Sequence, residues 1–264
     1  MLNKVSVIII TWNAKHFLEK SLPSLFQKNS GFDFELIIID NNSTDGTGDY
    51  VKINYPEAKY FYNTENKGVA PARNQGLKIA SGKYILILDV DTEFITDNAL
   101  DKLYSFMENN SDVGLIGAQL IGTDGKVQRS CLGFPSVWVK MLVRFENLPL
   151  LRNLSMFRKY YLLDRDLTKA TEVDYVIGAF QFIRRDCINK IGLYDDRIFY
   201  GPEDIDFCLR LRKHGYKTIY YPDVKLFHYY QRITKKIFSK ITLKHFNGLL
   251  HFFWKHKYIN YPKI

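Results

Sequence analysis

A chain of 264 residues with 46% hydrophobic content can bury one substantial core, as a large domain or a compact domain with an appendage, which excludes intrinsic disorder. Its three cysteines, Cys131, Cys187 and Cys208, are too few and too scattered for a disulfide framework or a metal-ligand spacing, and fit a reducing compartment. The net charge of +9 belongs to the tail. No acidic residue follows Asp223, and one arginine and seven lysines lie between Tyr229 and Ile264, so there is no basic body to bind nucleic acid.

The N-terminal run MLNKVSVIIITWN turns polar too soon for a signal peptide, and it predicts a first buried strand at 5–10. Further apolar runs predict strands at 34–40, 58–62 and 83–89, alternating with helical stretches around 15–28, 45–53, 70–80 and 97–109. That alternation implies right-handed βαβ units and an α/β fold, with a mostly parallel, Rossmann-like central sheet flanked by helices. Ligands of such sheets sit outside the carboxyl ends of the strands. The ends here carry Thr11 and Asn13, then Asp40, then Asn66 and Lys67, then Asp89 and Asp91, so all four are expected to border one crevice. From about residue 113 the pattern changes. GLIGAQLIGTDGKVQRS predicts a strand and hairpin, 136–172 has no regular period, and VDYVIGAFQFIRRD, GPEDIDFCLRLRKHG and YKTIYYPDVKLFH follow. No stretch approaches the roughly 18 apolar residues of a membrane span, so a cytoplasmic protein is expected.

The run ILILDVDTEF, 85–94, raises a chemical question. On a continuing strand Asp89 and Asp91 share a face, and two unpaired carboxylates there raise each other's pKa. Either the strand has ended and both are solvated, or a cation lies between them, such as Mg²⁺ or Mn²⁺ shared with phosphate oxygens. Arg73, in the first turns of a helix that begins near Pro71, is placed to reach a phosphate or to fix the aspartate pair. In DNNSTDGT, capping explains Ser43, Thr44 and Asp45, but leaves the charged end of a buried strand, Asp40, open to accept a pyrimidine N–H. Glu203 and Asp204 open a helix whose dipole favours carboxylates, and with Asp206 they exceed what capping needs. A carboxylate here is a candidate general base. His228, at the end of the last strand, is either structural or a third metal ligand through its neutral imidazole.

Taken in order, VSVIIITWN, IIIDNNSTDGT, NKGVAPARNQGLKIASGKYILILDVDT, VIGAFQFIRRD, GPEDIDFCLRLRKHGYK and PDVKLFH resemble the family 2 nucleotide-sugar glycosyltransferases of GT-A fold, and most of all bacterial rhamnosyltransferase-like enzymes of surface polysaccharide assembly. The resemblance runs from about residue 4 to 228. It implies a catalytic domain over 1–228, with a nucleotide-sugar-binding half at 1–112 and an acceptor-binding half at 113–228. It also implies an inverting, metal-dependent transfer of a sugar from a dTDP- or UDP-sugar to a saccharide or lipid-linked acceptor. By the same resemblance Thr11, Asn13, Asp40, Arg73, Asp89 and Gly178 bind the donor. Asp89, Asp91 and His228 hold a divalent cation, Mn or Mg, and Asp204 is the catalytic base with Glu203 beside it. Where many relatives carry an aromatic residue before the E-D pair, this chain has Gly201 and Pro202.

Residues 229–264 form a basic amphipathic tail. Lys236, Lys240 and Lys244, extended by His251 and Lys255, make one helical stripe opposite Ile237, Ile241, Leu249, Leu250, Phe252 and Phe253. Such a helix either lies on an anionic membrane, at the inner face of the cytoplasmic membrane, or packs on the body with its lysines solvated. A sugar nucleotidyltransferase would need a Gly-rich loop where TWNAKHF stands. A dehalogenase-type phosphatase would carry its D-x-D on the first strand, and a non-catalytic nucleotide-sugar-binding module would be expected to have lost Asp91 or the E-D pair.

Overall fold

The four expected strands, β1 (Val5–Thr11), β2 (Phe34–Asp40), β3 (Lys59–Tyr62) and β4 (Tyr84–Asp89), pair in parallel in the order β3-β2-β1-β4 in the computed structural model. It describes residues 4–145, 154–199, 201–229 and 240–262. The helices between them run over Lys15–Lys28, Thr47–Asn54 and Val69–Ile79, each within a few residues of its expected bounds. The β1, β2 and β4 runs are continuously apolar because both faces of the sheet are covered. Ile8, Ile37, Ile39, Ile85 and Ile87 enter the core on one face, while Val7, Ile9, Leu36, Ile38, Leu86 and Leu88 enter the core on the other.

The second half completes the sheet with a mixture of parallel and reversed strands. After β5 (Thr92–Phe94) and the helix Ala99–Asn109 come β6 (Val113–Ile121), β7 (Cys131–Leu132), β8 (Thr171–Val173), β9 (Tyr175–Val176), β10 (Phe180–Arg184) and β11 (Lys217–His228). The order continues β4-β10-β6-β11-β5, with β10 antiparallel to both neighbours and β6 parallel to β11, while β7 and β9 form a separate pair. Within 173–186 the strands β9 and β10 are separated at Ile177–Ala179, and that break reaches the site. Among the described residues of the stretch without a period, 136–172, lie the short helices Val137–Leu142 and Ser155–Tyr160, a 3-10 turn at Val143–Phe145 and the start of β8.

Register aligns the strand ends. Thr11 lies opposite Asp40, Ile10 opposite Asp89 and Asp40 opposite Tyr62, so the polar residues after β1, β2 and β4 share one edge of the sheet, as expected. The helix Glu203–Lys213 packs beneath β9 and β11, and a C-terminal helix, Lys240–His256, follows. No helix among the described residues is long and apolar enough to cross a membrane.

Candidate active site

Three chain segments meet at the end of β4. Asp89 is the last residue of β4, and the chain turns at once, so Asp91 sits in the turn before β5 and not on the same strand. Asp89 and Asp91 meet because of that turn, not because of strand alternation. Thr92 Oγ1 donates to the Asp89 carbonyl at 2.7 Å and Tyr229 N–H to the Asp91 carbonyl at 2.9 Å, which pins the turn to the end of β11. His228 lies opposite Thr92 across that strand pair, and one ligand atom each from Asp89, Asp91 and His228 falls within 4.8 Å of the others.

The donor set fits a divalent cation. The Asp91 carboxyl is pushed up first by burial and then by Asp89. Burial holds the buried His228 imidazole below its ordinary range. His228 Nδ1 lies 2.7 Å from Gln128 Oε1, an acceptor, so Nδ1 carries the proton and Nε2 turns its lone pair toward Asp91 Oδ1, 3.6 Å away. Two carboxylates and a neutral imidazole lone pair converging on one point are mutually repulsive until a cation joins them. Gln128 sets the tautomer, as outer partners of metal-ligating histidines do. It follows the hairpin, 100 residues from His228, and no motif marks it.

Arg73 connects this cluster to the second one. It is fully buried, with Nη2 at 3.1 Å from Asp89 Oδ1 and 2.9 Å from the Gly178 carbonyl, and Nη1 at 3.3 Å from Glu203 Oε1. With both terminal nitrogens engaged, Arg73 fixes the carboxylates, one of the two roles its place in the sequence leaves open. Gly178 stands in the break between β9 and β10 for a steric reason. A Cβ there would lie 2.5 Å from Arg73 Nη2. Gly178→Ala should therefore displace the guanidinium and cut turnover by about 10²-fold, the scale of a 1 Å misplacement. Steady-state kinetics on a folded variant check this; unchanged kcat would mean that Arg73 adjusts freely.

Glu203 and Asp204 open the helix Glu203–Lys213 and are both buried. Glu203 Oε2 accepts from Gly201 N–H at 2.8 Å, and Asp204 accepts from Gly178 N–H at 3.2 Å and Ile205 N–H at 2.7 Å. Burial raises both carboxyls. Repulsion by Asp204 adds to the effect on Glu203, while Arg73 opposes it in both. Glu203 has the cation. The bonds to Asp204 come from N–H donors alone.

At the other end of the crevice the expected contacts are redistributed. Asp40 is fully buried, with Oδ1 accepting from Ser43 N–H at 2.7 Å and Oδ2 from Tyr60 O–H at 2.6 Å. These two bonds hold the strand-end loop and occupy one acceptor site on each carboxylate oxygen. Asn13, at φ 50°, does the same from β1: its N–H reaches Ser43 Oγ and its Oδ1 accepts from Thr44 N–H, both at 2.8 Å. Thr11 is buried, and its hydroxyl is one of few buried polar atoms with no hydrogen-bond partner among the described residues. Trp12 between them is more than half exposed at the rim, a feature the motif reading passed over.

The tail reverses its expected orientation. Lys236 and Ile237 lie outside the described residues, as do the side chains of Lys240 and Ile241. Of the rest of the stripe, His251 and Lys255 face the body and pair with Asp195 Oδ2 at 3.0 and 2.9 Å, and Lys244 sits 3.3 Å over the Phe199 ring. Lys255 also reaches Asp206 Oδ1 at 2.6 Å, beside His256 at 2.8 Å.

Residues 6–192 match the model of glycosyl transferase family 2. This chain belongs to that family. It is 35% identical over 125 residues to the glycosyltransferase TuaG of Bacillus subtilis (strain 168), covering 46% of this chain and 49% of that protein. It is 36% identical over 130 residues to the poly(ribitol-phosphate) beta-N-acetylglucosaminyltransferase TarP of Staphylococcus aureus (strain N315), covering 47% of this chain and 38% of that one. The chain thus spans half or less of these relatives. The mannosyltransferase PcManGT of Pyrobaculum calidifontis, solved with GDP-Man and Mn²⁺, superposes with a TM-score of 0.62 at 20% identity, over 97% of this chain and 64% of that one. At that identity the likeness concerns the fold, and it is the GT-A fold expected from the motifs.

Proposed function

We propose that this family 2 glycosyltransferase moves a hexose, rhamnose among the candidates, from a dTDP- or UDP-sugar to a hydroxyl of a surface glycan or lipid-linked saccharide, with inversion at the anomeric carbon. The observation that carries the reading is one guanidinium, Arg73, tying the Asp89/Asp91/His228 cluster to the Glu203/Asp204 pair at the carboxyl edge of the sheet. Neighbours of this fold are named for nucleotide-sugar substrates and Mn²⁺, and TarP for a ribitol-phosphate polymer, which supports the substrate classes.

Asp89, Asp91 and His228 would hold the divalent cation, which when bound supplies charge neutralisation for a diphosphate leaving group. The chain's own residues do the rest. Asp204 accepts the proton of the acceptor hydroxyl as its oxygen bonds to the anomeric carbon, and the bond from that carbon to the diphosphate oxygen breaks on the opposite face. One base and one displacement invert the centre, by the logic of single-displacement glycoside hydrolysis. Arg73 and Gly178 hold Asp204 and Glu203 at that position, and the loop fixed by Asn13 and Asp40 forms the end of the crevice where the nucleoside would sit.

Thermal shift against a panel of nucleoside diphosphate sugars, with and without Mn²⁺, tests the site. A ligand at a hundred times its Kd adds about 2.7 kcal/mol of stability. The expected result is metal-dependent stabilisation by one donor class that disappears in Asp91→Ala. Stabilisation by none of them, with or without metal, overturns the reading.

A further inference from the structure

We propose that the outward face of the C-terminal helix, Lys240–His256, docks on an anionic lipid bilayer. The amphipathic pattern visible in the sequence is real, but its polar side is spent inside the protein. His251, Lys255 and His256 pair with Asp195 and Asp206, Phe252 is fully buried, and Gly248 faces Pro202. The solvent side is apolar instead. Leu243, Phe246, Leu250 and Trp254 recur at steps of three, four and four residues, form one stripe, and are each more than half exposed, Trp254 by 73%.

The stripe does not end with the helix. Exposed Ile259 follows it, and the Ile259 carbonyl accepts from Val137 N–H at 2.9 Å, beside exposed Trp138 and Met141 on the short helix Val137–Leu142. Exposed apolar side chains grouped along one helix face and its neighbouring helix, not scattered singly, mark an interaction site.

Charge identifies the occupant. No acidic residue follows Asp223, so the tail that carries the stripe holds one arginine and seven lysines with no carboxylate side chain, and Lys244 and Lys257 are exposed along it. A second copy of this chain would set like charges against each other across the contact. An anionic bilayer accepts both parts, the apolar side chains and the tryptophan at the headgroup boundary and the lysines at the surface potential. The inward pairs then have a consequence for geometry. Asp195 opens the loop that leads to Gly201, and Asp206 lies one turn into the helix that begins with Glu203 and Asp204, so a membrane-seated helix holds the acceptor side of the crevice at a set height. Docking itself does not depend on the glycosyl-transfer reading, and it is measured without turnover.

The test is co-sedimentation of the full chain with phosphatidylcholine vesicles, with and without phosphatidylglycerol, for wild type and Leu250→Glu/Trp254→Glu. Binding is expected to anionic vesicles only and to weaken by about tenfold or more in the double variant, since two apolar side chains lose their burial. Circular dichroism should be unchanged, because both side chains are exposed. Absence of binding to either vesicle, equal binding to both, or undiminished binding by the folded double variant overturns the proposal. Equally damaging would be a wild-type dimer in light scattering that the double variant converts to monomer without any vesicle binding, which would assign the face to a second copy.

Discussion

Asp204→Asn should lower kcat by about 10²- to 10⁴-fold, the range for loss of a positioned general base, with little change in donor KM. The substitution is nearly isosteric, and the amide oxygen it introduces can still accept from Gly178 or Ile205 N–H, so the fold should persist. The pH profile separates a catalytic role from a structural one. Burial raises the Asp204 carboxyl, and base catalysis requires the ionised form, so wild-type kcat/KM should climb with pH above the ordinary carboxylate range of about 4 and level off toward neutrality. The two buried carboxylates titrate together, and the limb reports the pair. Glu203→Gln removes the neighbouring negative charge and leaves Arg73 to Asp89 and Asp204, so the acidic limb should move to lower pH. A limb that stays put, or one that survives intact in Asp204→Asn, would remove Asp204 from the base role.

The same pair makes a stability statement of definite sign. Its folded-state pKa values lie above the unfolded values, so the folded protein binds more protons between the two. Without metal, the contribution is fully present below the unfolded pKa and is lost as pH rises through the raised folded values. The structure is therefore stabilised at mildly acid pH by the very groups that need neutral pH to act. Burial, which makes the carboxylate basic, is also what makes it costly to ionise.

Much of this arrangement was readable from residue order. Apolar runs ending in Thr11, Asp40 and Asp89 specify parallel strands whose polar ends share an edge, and the register confirms it at Thr11–Asp40 and Ile10–Asp89. The convergence of Asp89, Asp91 and His228 followed from the motif order, although the geometry that brings Asp91 round is a turn, which period-two alternation does not describe. Asp40 shows one limit: a buried terminal aspartate signals polar partners without naming them, and here they include Ser43 and Tyr60. The tail shows the deeper limit. Helical periodicity sorts residues into two faces but does not say which one meets the protein. Asp195 and Asp206 decide that, each about fifty residues or more from its partners, and they draw the cations inward. Gln128 and the reason for glycine at 178 were invisible for the same reason: each serves a side chain at least a hundred residues away.

Arg73→Met should be the most destabilising single change at the site, by about 3–5 kcal/mol at neutral pH, the cost of leaving a buried charge without its partner. Methionine fills most of the volume and keeps the helix Val69–Ile79, so the loss is electrostatic, not a cavity. Glu203 is almost completely buried beside Asp204, and Arg73 is the one cation that bonds it among the described residues. Asp89, which is partly exposed, adds less. The pH dependence identifies the cause. Once Arg73 is gone, the one guanidinium that lowers both carboxyl pKa values is lost and only the weaker N–H donors and Lys140 remain, so both groups protonate at higher pH, and the penalty should shrink when unfolding is measured in urea at about pH 5 instead of about pH 8, on the acid side of the raised values. A penalty of equal size at both pH values would point to packing and would remove Arg73 from its role as counter-charge. Arg73→Lys divides the two duties of this residue. An ammonium restores the positive charge and with it much of the stability, but it lacks the planar fork that reaches Asp89, Glu203 and the Gly178 carbonyl at once. Stability should recover further than turnover in that variant, because a single point charge can neutralise the pair without holding Asp204 and the Asp89 cluster in one frame.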